Sequence, residues 1–577
     1  MSVFSRIRRR SAPPPTPAEA ETETEVDAET GKAVKRKNPV LAVVWTVLAG
    51  LLVFVTLVIP EQVVRLVPGT FVPGAFVRIP IEGLLGLALL IALPVVARRI
   101  VAILLGIVLG LLTMTEALDA GFWNFLNRQF DLVADWALLD DGVNFLKDTF
   151  GRPAALAAAA GAVVLAVGVL VLLVFSVLRL ARVAGGRRRV SFGVLGVLLA
   201  GWIALTLLGT QIVPGIPVAS RADADRVQQR ALLIRTGLRD QKAFTKAIEV
   251  DSFRNTPGSE LLTGLRGKDV IFSLVESYGR SALEDPVQAA QVDPALTAGT
   301  AQLKAAGFAA KSGFLTSSTF GGYSWLAHST LQSGLWIDNQ QRYRTLVGTD
   351  RLTLTKTFAR AGWQTVAVEP DNTYAWPEGT FYGYQRVWDS RNLGYKGPHF
   401  SWSTMPDQYT LSAFQREEYG KPHAPMMAEV TLTSSHTPWA PIPQLVDWDA
   451  VGDGSIYAAQ QKAGNKPDEV WKDSTRVKTE FAKSVAYSVG SLVSWVATYG
   501  KDNLVLVFLG DHQAAPIVSG KEATHDVPIT IVAHDPAVLA KIAPWGWQDG
   551  LRPNPQAPVT RMDAFRDKFL TAFGPQG

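Results

Sequence analysis

The sequence predicts an α/β domain preceded by a five-helix transmembrane domain, and three observations carry that prediction. Five apolar runs crowd into the first 213 residues. Basic residues cluster on alternate sides of those runs. Beyond them, short apolar segments recur with helix-forming stretches between.

The runs cover residues 39–60, 81–97, 100–118, 153–178 and 190–213. They lie near the ~20 residues that cross ~30 Å of hydrocarbon, 81–97 being the shortest. A soluble helix keeps a polar stripe; these runs keep none. Ahead of them, residues 1–38 mix Pro, Ala, Glu and Thr with Arg6, Arg8, Arg9, Arg10, Lys35, Arg36 and Lys37. That composition reads as a disordered, basic cytoplasmic tail. A first run set behind so long a tail, with four more following, does not read as a cleaved leader.

With the tail inside, Arg98-Arg99 and the group Arg179, Arg182, Arg187, Arg188 and Arg189 also fall inside. The longer outer loop carries Asp119, Asp131, Asp135, Asp140, Asp141 and Asp148. Positive-inside counting is therefore consistent, and an odd number of spans puts everything after residue 213 outside. The aromatics Phe122, Trp123, Phe125 and Phe130 of that loop suit either an amphipathic segment at the interface or an ordinary loop.

Composition removes several function classes. The net charge is +5, but the basic clusters flank spans rather than line a groove, which argues against nucleic acid. With no cysteine, thiol nucleophiles, disulfides and Cys-ligated metals are excluded. At 48% hydrophobic and 19% charged residues, the chain is neither disordered nor a coiled coil.

Residues 214–262 are polar and helix-prone and form a juxtamembrane linker; 263–577 form the outer domain. Apolar strands are predicted at 269–275, 365–368, 427–432, 503–509 and 527–533. Short buried strands alternating with helices indicate a sheet of parallel character, with its ligand site beyond the carboxyl strand ends. Two such ends carry ionisable groups: DVIFSLVES places Glu276, and NLVLVFLGDHQ places Asp511 and His512. Ionisable groups just past an apolar strand need a partner or a purpose. A Glu, Asp and His set suits Mn²⁺, Mg²⁺ or Zn²⁺. All seven histidines, His328, His399, His423, His436, His512, His525 and His534, follow residue 300.

Between those strands, KSGFLTSSTFGGYSWLAHSTLQSGLWI runs from a hydroxyl-rich stretch through Gly321-Gly322 into a helical pattern near Ser324. A hydroxyl at a helix N-terminus gains from exposed N–H groups and the dipole, and coordination to a metal lowers its pKa. Ser324 is the candidate nucleophile and Thr319 the second choice. A plain N-cap is the alternative for Ser324 taken alone.

The VES strand end, the Gly-Gly-Tyr-Ser helix start, SSHTPW and GDH together resemble the alkaline-phosphatase/sulfatase-like superfamily. The whole architecture resembles the five-span lipoteichoic acid synthase type of membrane phosphoglycerol transferase. The resemblance implies a sulfatase-like outer domain in which Glu276, Ser324, Asp511 and His512 hold one divalent metal ion, Mn²⁺ first and Mg²⁺ or Zn²⁺ otherwise, with Ser324 as nucleophile. It further implies substrate-binding roles for His436 in TLTSSHTPW, Asp371 and Trp376 in EPDNTYAW, and His525 in THDVPI.

Three departures qualify it. Ser stands where the synthases usually have Thr. Glu378 stands two residues after Trp376, where the synthases have Arg; Glu cannot clamp a phosphate, so the resemblance leaves the headgroup open between glycerol phosphate and another alcohol phosphate. Ser324 is followed by Trp-Leu-Ala, so formylglycine chemistry is not expected. The disulfides typical of phosphoethanolamine-transferring relatives are also missing.

The activity implied is transfer of a phosphoglycerol-type group from a membrane lipid donor to a cell-envelope polymer or glycolipid acceptor, at the outer face of a bacterial cell membrane. A membrane-anchored phosphodiesterase would use the same residues. A non-catalytic envelope scaffold would have lost part of the metal set, and a transporter would carry more charge within its spans.

Overall fold

The structure, a computed structural model, describes residues 39–65, 71–133 and 151–575, together with 135, 136, 138, 139, 142, 143, 146 and 147. The expected basic tail at 1–38, and Asp140, Asp141 and Asp148, lie outside the described residues.

Among the described residues of the first part of the chain, the helices of ten residues or more are α1 (Pro39–Val58), α2 (Ile81–Ala92), α3 (Val95–Leu126), α4 (Arg152–Gly186) and α5 (Arg188–Leu207). Four of them are long and apolar enough to cross a membrane. The exception is α2, whose 12 residues reach about 18 Å at 1.5 Å per residue. The run at 81–97, expected as the shortest of five spans, is thus divided between α2 and the start of α3. Pro94 ends α2, because proline drives the residue before it out of the helical region, and Leu93 is extended. Arg98 and Arg99, expected in a loop, sit in the first turns of α3.

α3 also continues past residue 118 to Leu126. Asp119, expected in the outer loop, lies inside this helix and pairs with Arg230, as Glu116 pairs with Arg226. Phe122, Trp123 and Phe125 are thus its last turns. Gly106 and Gly110 face α4, where an added Cβ would come within 2.6 Å of Val174 or Leu170. Small residues one turn apart let membrane helices approach closely.

The bundle has two distinct ends. At one, Arg98 and Arg188 both donate to the Leu93 carbonyl (2.8 and 2.9 Å), and Arg179 donates to that of Ala42. At the other, Ile79-Pro80 pairs with Ala219-Ser220, and Arg78 donates to the carbonyls of Val58 and Pro217. The short α2 therefore joins the same two ends as the long helices. From the second end, α6 (Ala222–Glu249) leads into the rest of the chain. Its Arg226 and Arg230 hold α3, and its Phe244 and Ile248 pack with Leu326 and Ile337.

The outer part is built on a nine-stranded sheet. Its strands are β1 (Asp269–Val275), β2 (Ala309–Thr316), β3 (Gln364–Glu369), β4 (Arg386–Asp389), β5 (Met426–Leu432), β6 (Leu504–Gly510), β7 (Asp526–Ala533), β8 (Gln548–Asp549) and β9 (Val559–Arg561). The order is β8-β2-β7-β6-β1-β5-β3-β4, with β9 beside β2. From β6 to β4 every neighbour is parallel; β7 runs antiparallel to both β6 and β2. The sheet is therefore mixed. β2 escaped the sequence reading because Lys311 and Ser312 break its apolar pattern. Ser312 is held by Thr530 and the Gly550 carbonyl.

The helices around it are α7 (Pro286–Ala305), α8 (Ser324–Ser333), α9 (Asp407–Phe414), α10 (Ser474–Tyr499) and α11 (Met562–Phe573). Ile271 and Val275 of β1 pack with Val292 of α7 and Phe481 of α10, while Val270, Phe272 and Leu274 meet Leu331 of α8 and Phe569 of α11. With both faces covered, every residue of β1, β5 and β6 is buried, which is why they read as continuous apolar runs.

Candidate active site

Parallel pairing sets Val275 opposite Gly510, so Glu276 and Asp511 leave the sheet side by side. Gly510 allows this approach: a Cβ there would lie 1.8 Å from the Tyr278 carbonyl oxygen. Ser277 adopts φ 58°, a costly conformation for a residue with a side chain. Its N–H donates to Asp511 Oδ1 at 2.8 Å, as does the N–H of His512. Opposite them, Tyr323 (φ 64°) turns the chain into α8, with Ser324 as its first residue.

Ser324 Oγ donates to Glu276 Oε2 at 2.8 Å and lies 3.1 Å from His512 Nε2. His512 Nδ1 is 2.8 Å from the Gln513 carbonyl. A ring nitrogen facing a carbonyl carries the proton, so Nε2 of the neutral ring presents a lone pair. Donor atoms of Glu276, Asp511 and His512 all lie within 4.8 Å of one another. Burial, and after it the Glu276 charge, pushes the Asp511 carboxyl up to about 7. Its Oδ2 is buried without a hydrogen-bond partner. Two buried carboxylates are costly together without compensating positive charge. The orphaned oxygen, the bare imidazole nitrogen and the Ser324 hydroxyl fit a divalent ion with oxygen and nitrogen ligands.

Glu276 and Ser324 open onto a cavity of about 690 Å³, which His436, Asp371 and Trp376 also line. His436 Nδ1 lies 2.7 Å from the Thr437 carbonyl, leaving Nε2 for other work, and its ring stacks on Trp402 with centroids 3.7 Å apart. Asp371 Oδ1 accepts from the Thr404 N–H at 2.7 Å, while its Oδ2 is buried and unpartnered. Trp376 packs against Tyr382 and Tyr384.

Two sequence candidates lie elsewhere. Thr319 and His525 line an adjoining cleft with Arg128 and Phe320, the His525 ring 5.3 Å from that of Phe320. His525 immediately precedes the antiparallel β7 and bonds through its carbonyl to the Ser317 N–H. Because β7 runs antiparallel with Ile529 opposite Leu509, His525 emerges at the same sheet edge as Asp511 and His512, on the β2 side, and lines the adjoining cleft.

The cavity also contains residues that sequence reasoning missed. Its floor carries Glu429 and Thr431 from β5 and Glu369 from the end of β3, and its wall carries His328. His328 follows Ser324 by four residues and so shares its face of α8; that spacing was the available signal. Burial pushes Glu429 up to about 7 and His328 down to about 4. Glu369 is raised well above the usual carboxylate range by burial and then by Glu429. Asp407, at the start of α9, was missed too: its Oδ1 accepts from the N–H groups of Thr433 and Ser434 (2.8 and 3.0 Å) and so holds the loop that ends in His436.

The last turn of α3 completes the enclosure. Asn124 and Phe125 line the cavity, and Asn127 donates to the Lys521 carbonyl at 3.0 Å. Gly321 (φ +74°) lets this contact form, since a Cβ there would fall 1.8 Å from the Phe125 carbonyl oxygen.

Among solved structures, the chain is similar to the lipoteichoic acid synthase LtaP from Listeria monocytogenes, at 14% identity over 58% of this chain and 78% of that one, with a TM-score of 0.37. It is similar to the Streptococcus pyogenes phosphoglycerol transferase GacH in complex with sn-glycerol-1-phosphate, at 13% identity over 58% and 79%, TM-score 0.35. It is also similar to the soluble domain of lipooligosaccharide phosphoethanolamine transferase A from Neisseria meningitidis, at 14% identity over 55% and 93%, TM-score 0.36. No protein-family model matches the chain, and no curated protein matches it significantly.

Proposed function

We propose that the protein transfers an alcohol-phosphate group from a membrane phospholipid to a hydroxyl of an envelope polymer or glycolipid, through a covalent adduct on Ser324. The observation that carries this reading is the Ser324 hydroxyl, 2.8 Å from Glu276 Oε2 and 3.1 Å from His512 Nε2, opening onto the cavity that His436, Asp371 and Trp376 line.

Glu276, Asp511, His512 and the Ser324 oxygen would hold a divalent cation, which when bound supplies positive charge for the serine oxygen and the phosphoryl group. Ser324 Oγ gives its proton to Glu276 and forms a bond to phosphorus as the phosphorus–oxygen bond to diacylglycerol breaks. The N-terminus of α8 stabilises charge on the phosphoryl oxygens. His436, through the nitrogen not engaged with Thr437, hands a proton to the departing diacylglycerol oxygen. In the second half the acceptor hydroxyl loses its proton to His436 and bonds to phosphorus as the Ser324 Oγ–phosphorus bond breaks, and Ser324 Oγ takes back the proton held on Glu276. Trp376 and Asp371 orient the alcohol part of the group.

The membrane unit of residues 39–213, the linker of 214–262 and the catalytic domain of 263–577 give this chemistry its place. The chain makes five passes, four by long helices and one by the short α2, with the Arg98, Arg179 and Arg188 end in the cytoplasm. The catalytic domain then stands outside a bacterial cell membrane. The test is headgroup-labelled phospholipid offered to full-length protein in vesicles. Label on Ser324 by intact mass and peptide mapping, and on acceptor glycolipid, is expected. Label transfer by the Ser324→Ala variant would end the proposal, and free headgroup phosphate with no labelled acceptor would make the enzyme a hydrolase.

A further inference from the structure

The cavity contains a second set of metal-binding groups that the serine chemistry leaves unused. Donor atoms of His328, Glu369 and Glu429 lie within 4.8 Å of one another, and His328 Nδ1 is 3.7 Å from Glu429 Oε1. Three elements deliver them. β3 and β5 pair in parallel with Ala367 opposite Glu429, so alternation puts Glu369, Glu429 and Thr431 on the same side of the sheet. α8 lies over that side and lowers His328 onto it.

The group is strongly enclosed yet under-bonded. Glu429 is 2% exposed and Thr431 7%. His328 Nε2, Glu369 Oε1 and the Thr431 hydroxyl are buried without hydrogen-bond partners. Gln332 donates to Glu429 Oε2, which fixes that carboxylate and leaves its other oxygen turned to His328. The charge is also unbalanced. Among the described residues, the cavity lining holds Glu276, Glu369, Asp371 and Glu429 against Lys521, with no arginine, and the Lys521 ammonium donates to the Arg65 carbonyl. Buried carboxylates with orphaned oxygens and no neighbouring cation are strongly disfavoured as anions. One imidazole with two carboxylates is a donor set suited to Zn²⁺ or Mn²⁺.

We propose that His328, Glu369 and Glu429 hold a second divalent cation in this cavity, one turn of α8 from Ser324. Thr431 contributes a hydroxyl beside it, and Gln332 orients Glu429 as a positioning residue. Glu369 lies two residues from Asp371, and both line the cavity with Trp376, so on the proposed function the ion would serve the alcohol portion of the group. It thereby places positive charge where Glu369 and Glu429 supply none.

The test counts ions in the full-length protein in detergent, stripped with chelator and re-equilibrated with Mn²⁺ or Zn²⁺ alone. Wild type is expected to retain about two ions per chain by elemental analysis, with magnetic coupling between the two in the Mn²⁺ form. Glu429→Gln and His328→Gln should each retain about one and lose the coupling, and circular dichroism checks that they fold. Glu276→Gln should retain the ion of the second site. Wild type holding one ion that Glu276→Gln loses and Glu429→Gln keeps would overturn the second site and leave the serine centre standing. Wild type holding none would overturn both. One ion per chain together with protection by ethanolamine phosphate that Glu429→Gln abolishes would replace the metal by an ammonium-binding site.

Discussion

The two acidic clusters of the cavity differ in what holds them. Glu276, Asp511 and His512 leave the ends of β1 and β6, where turning backbone can serve them: Asp511 Oδ1 takes two N–H groups and His512 Nδ1 a carbonyl. Glu429 sits inside β5, whose N–H and C=O groups are spent on the sheet ladders. Its support comes from a side chain, Gln332. A strand end can thus prepare a charged site from main chain alone, whereas a site inside a strand depends on its ligand and its neighbours' side chains. The first cluster is expected to carry the chemistry, and the second to hold what the chemistry acts on.

The largest effect should come from Ser324→Ala. Removing the nucleophile is expected to lower transfer by about 10⁴-fold or more, measured with headgroup-labelled lipid, while the rest of both clusters keeps its place. Next comes a direct contrast. Asp511→Asn removes charge beside the reacting oxygen and should cost about 10²–10³-fold in kcat. Glu429→Gln should cost about 10–100-fold, as for groups acting on a metal's surroundings, and fall mainly on KM. Equal losses in kcat would erase the distinction between the clusters.

Gly321→Ala sharpens the comparison from the side of α3. The added methyl meets the Phe125 carbonyl and requires positive φ, at an expected cost of about 2–4 kcal/mol. The loss should appear as a lower unfolding temperature and an opened cavity, with the ion at Asp511 retained.

The smallest effect concerns Asp407. Burial raises its carboxyl to about 6, above its unfolded value, so the native state prefers the proton. Stability should therefore fall as pH rises from about 4 to 6 and stay lower above that. In Asp407→Asn that loss should vanish, changing the difference between the two proteins by about 2 kcal/mol across the window. Denaturant melts at pH 4 and 7 measure it.

The same contrast explains what could be read from sequence. Glu276, Asp511 and His512 stood out because each follows an uninterrupted apolar strand, and Ser324 because two glycines precede a helical pattern. Glu429 and Glu369 did not, since one acid in a strand looks the same whether it meets solvent or a cavity; only the pairing of β3 with β5 and the helix above decides. Asp407 works through main-chain contacts that exist only once α9 meets the end of β5. The short α2 and the long α3 were misjudged for a related reason: hydropathy registers neither the stop at Pro94 nor the arginines of α6 that neutralise the acids of α3.

That long helix sets a distance. Thirty-two residues extend about 48 Å, and a bilayer's oily layer takes up about 30 Å of it. In the proposed transfer, the remaining ~18 Å would set the distance between the oily layer and Ser324. A donor with a short headgroup would then have to rise partway out of its leaflet to reach it.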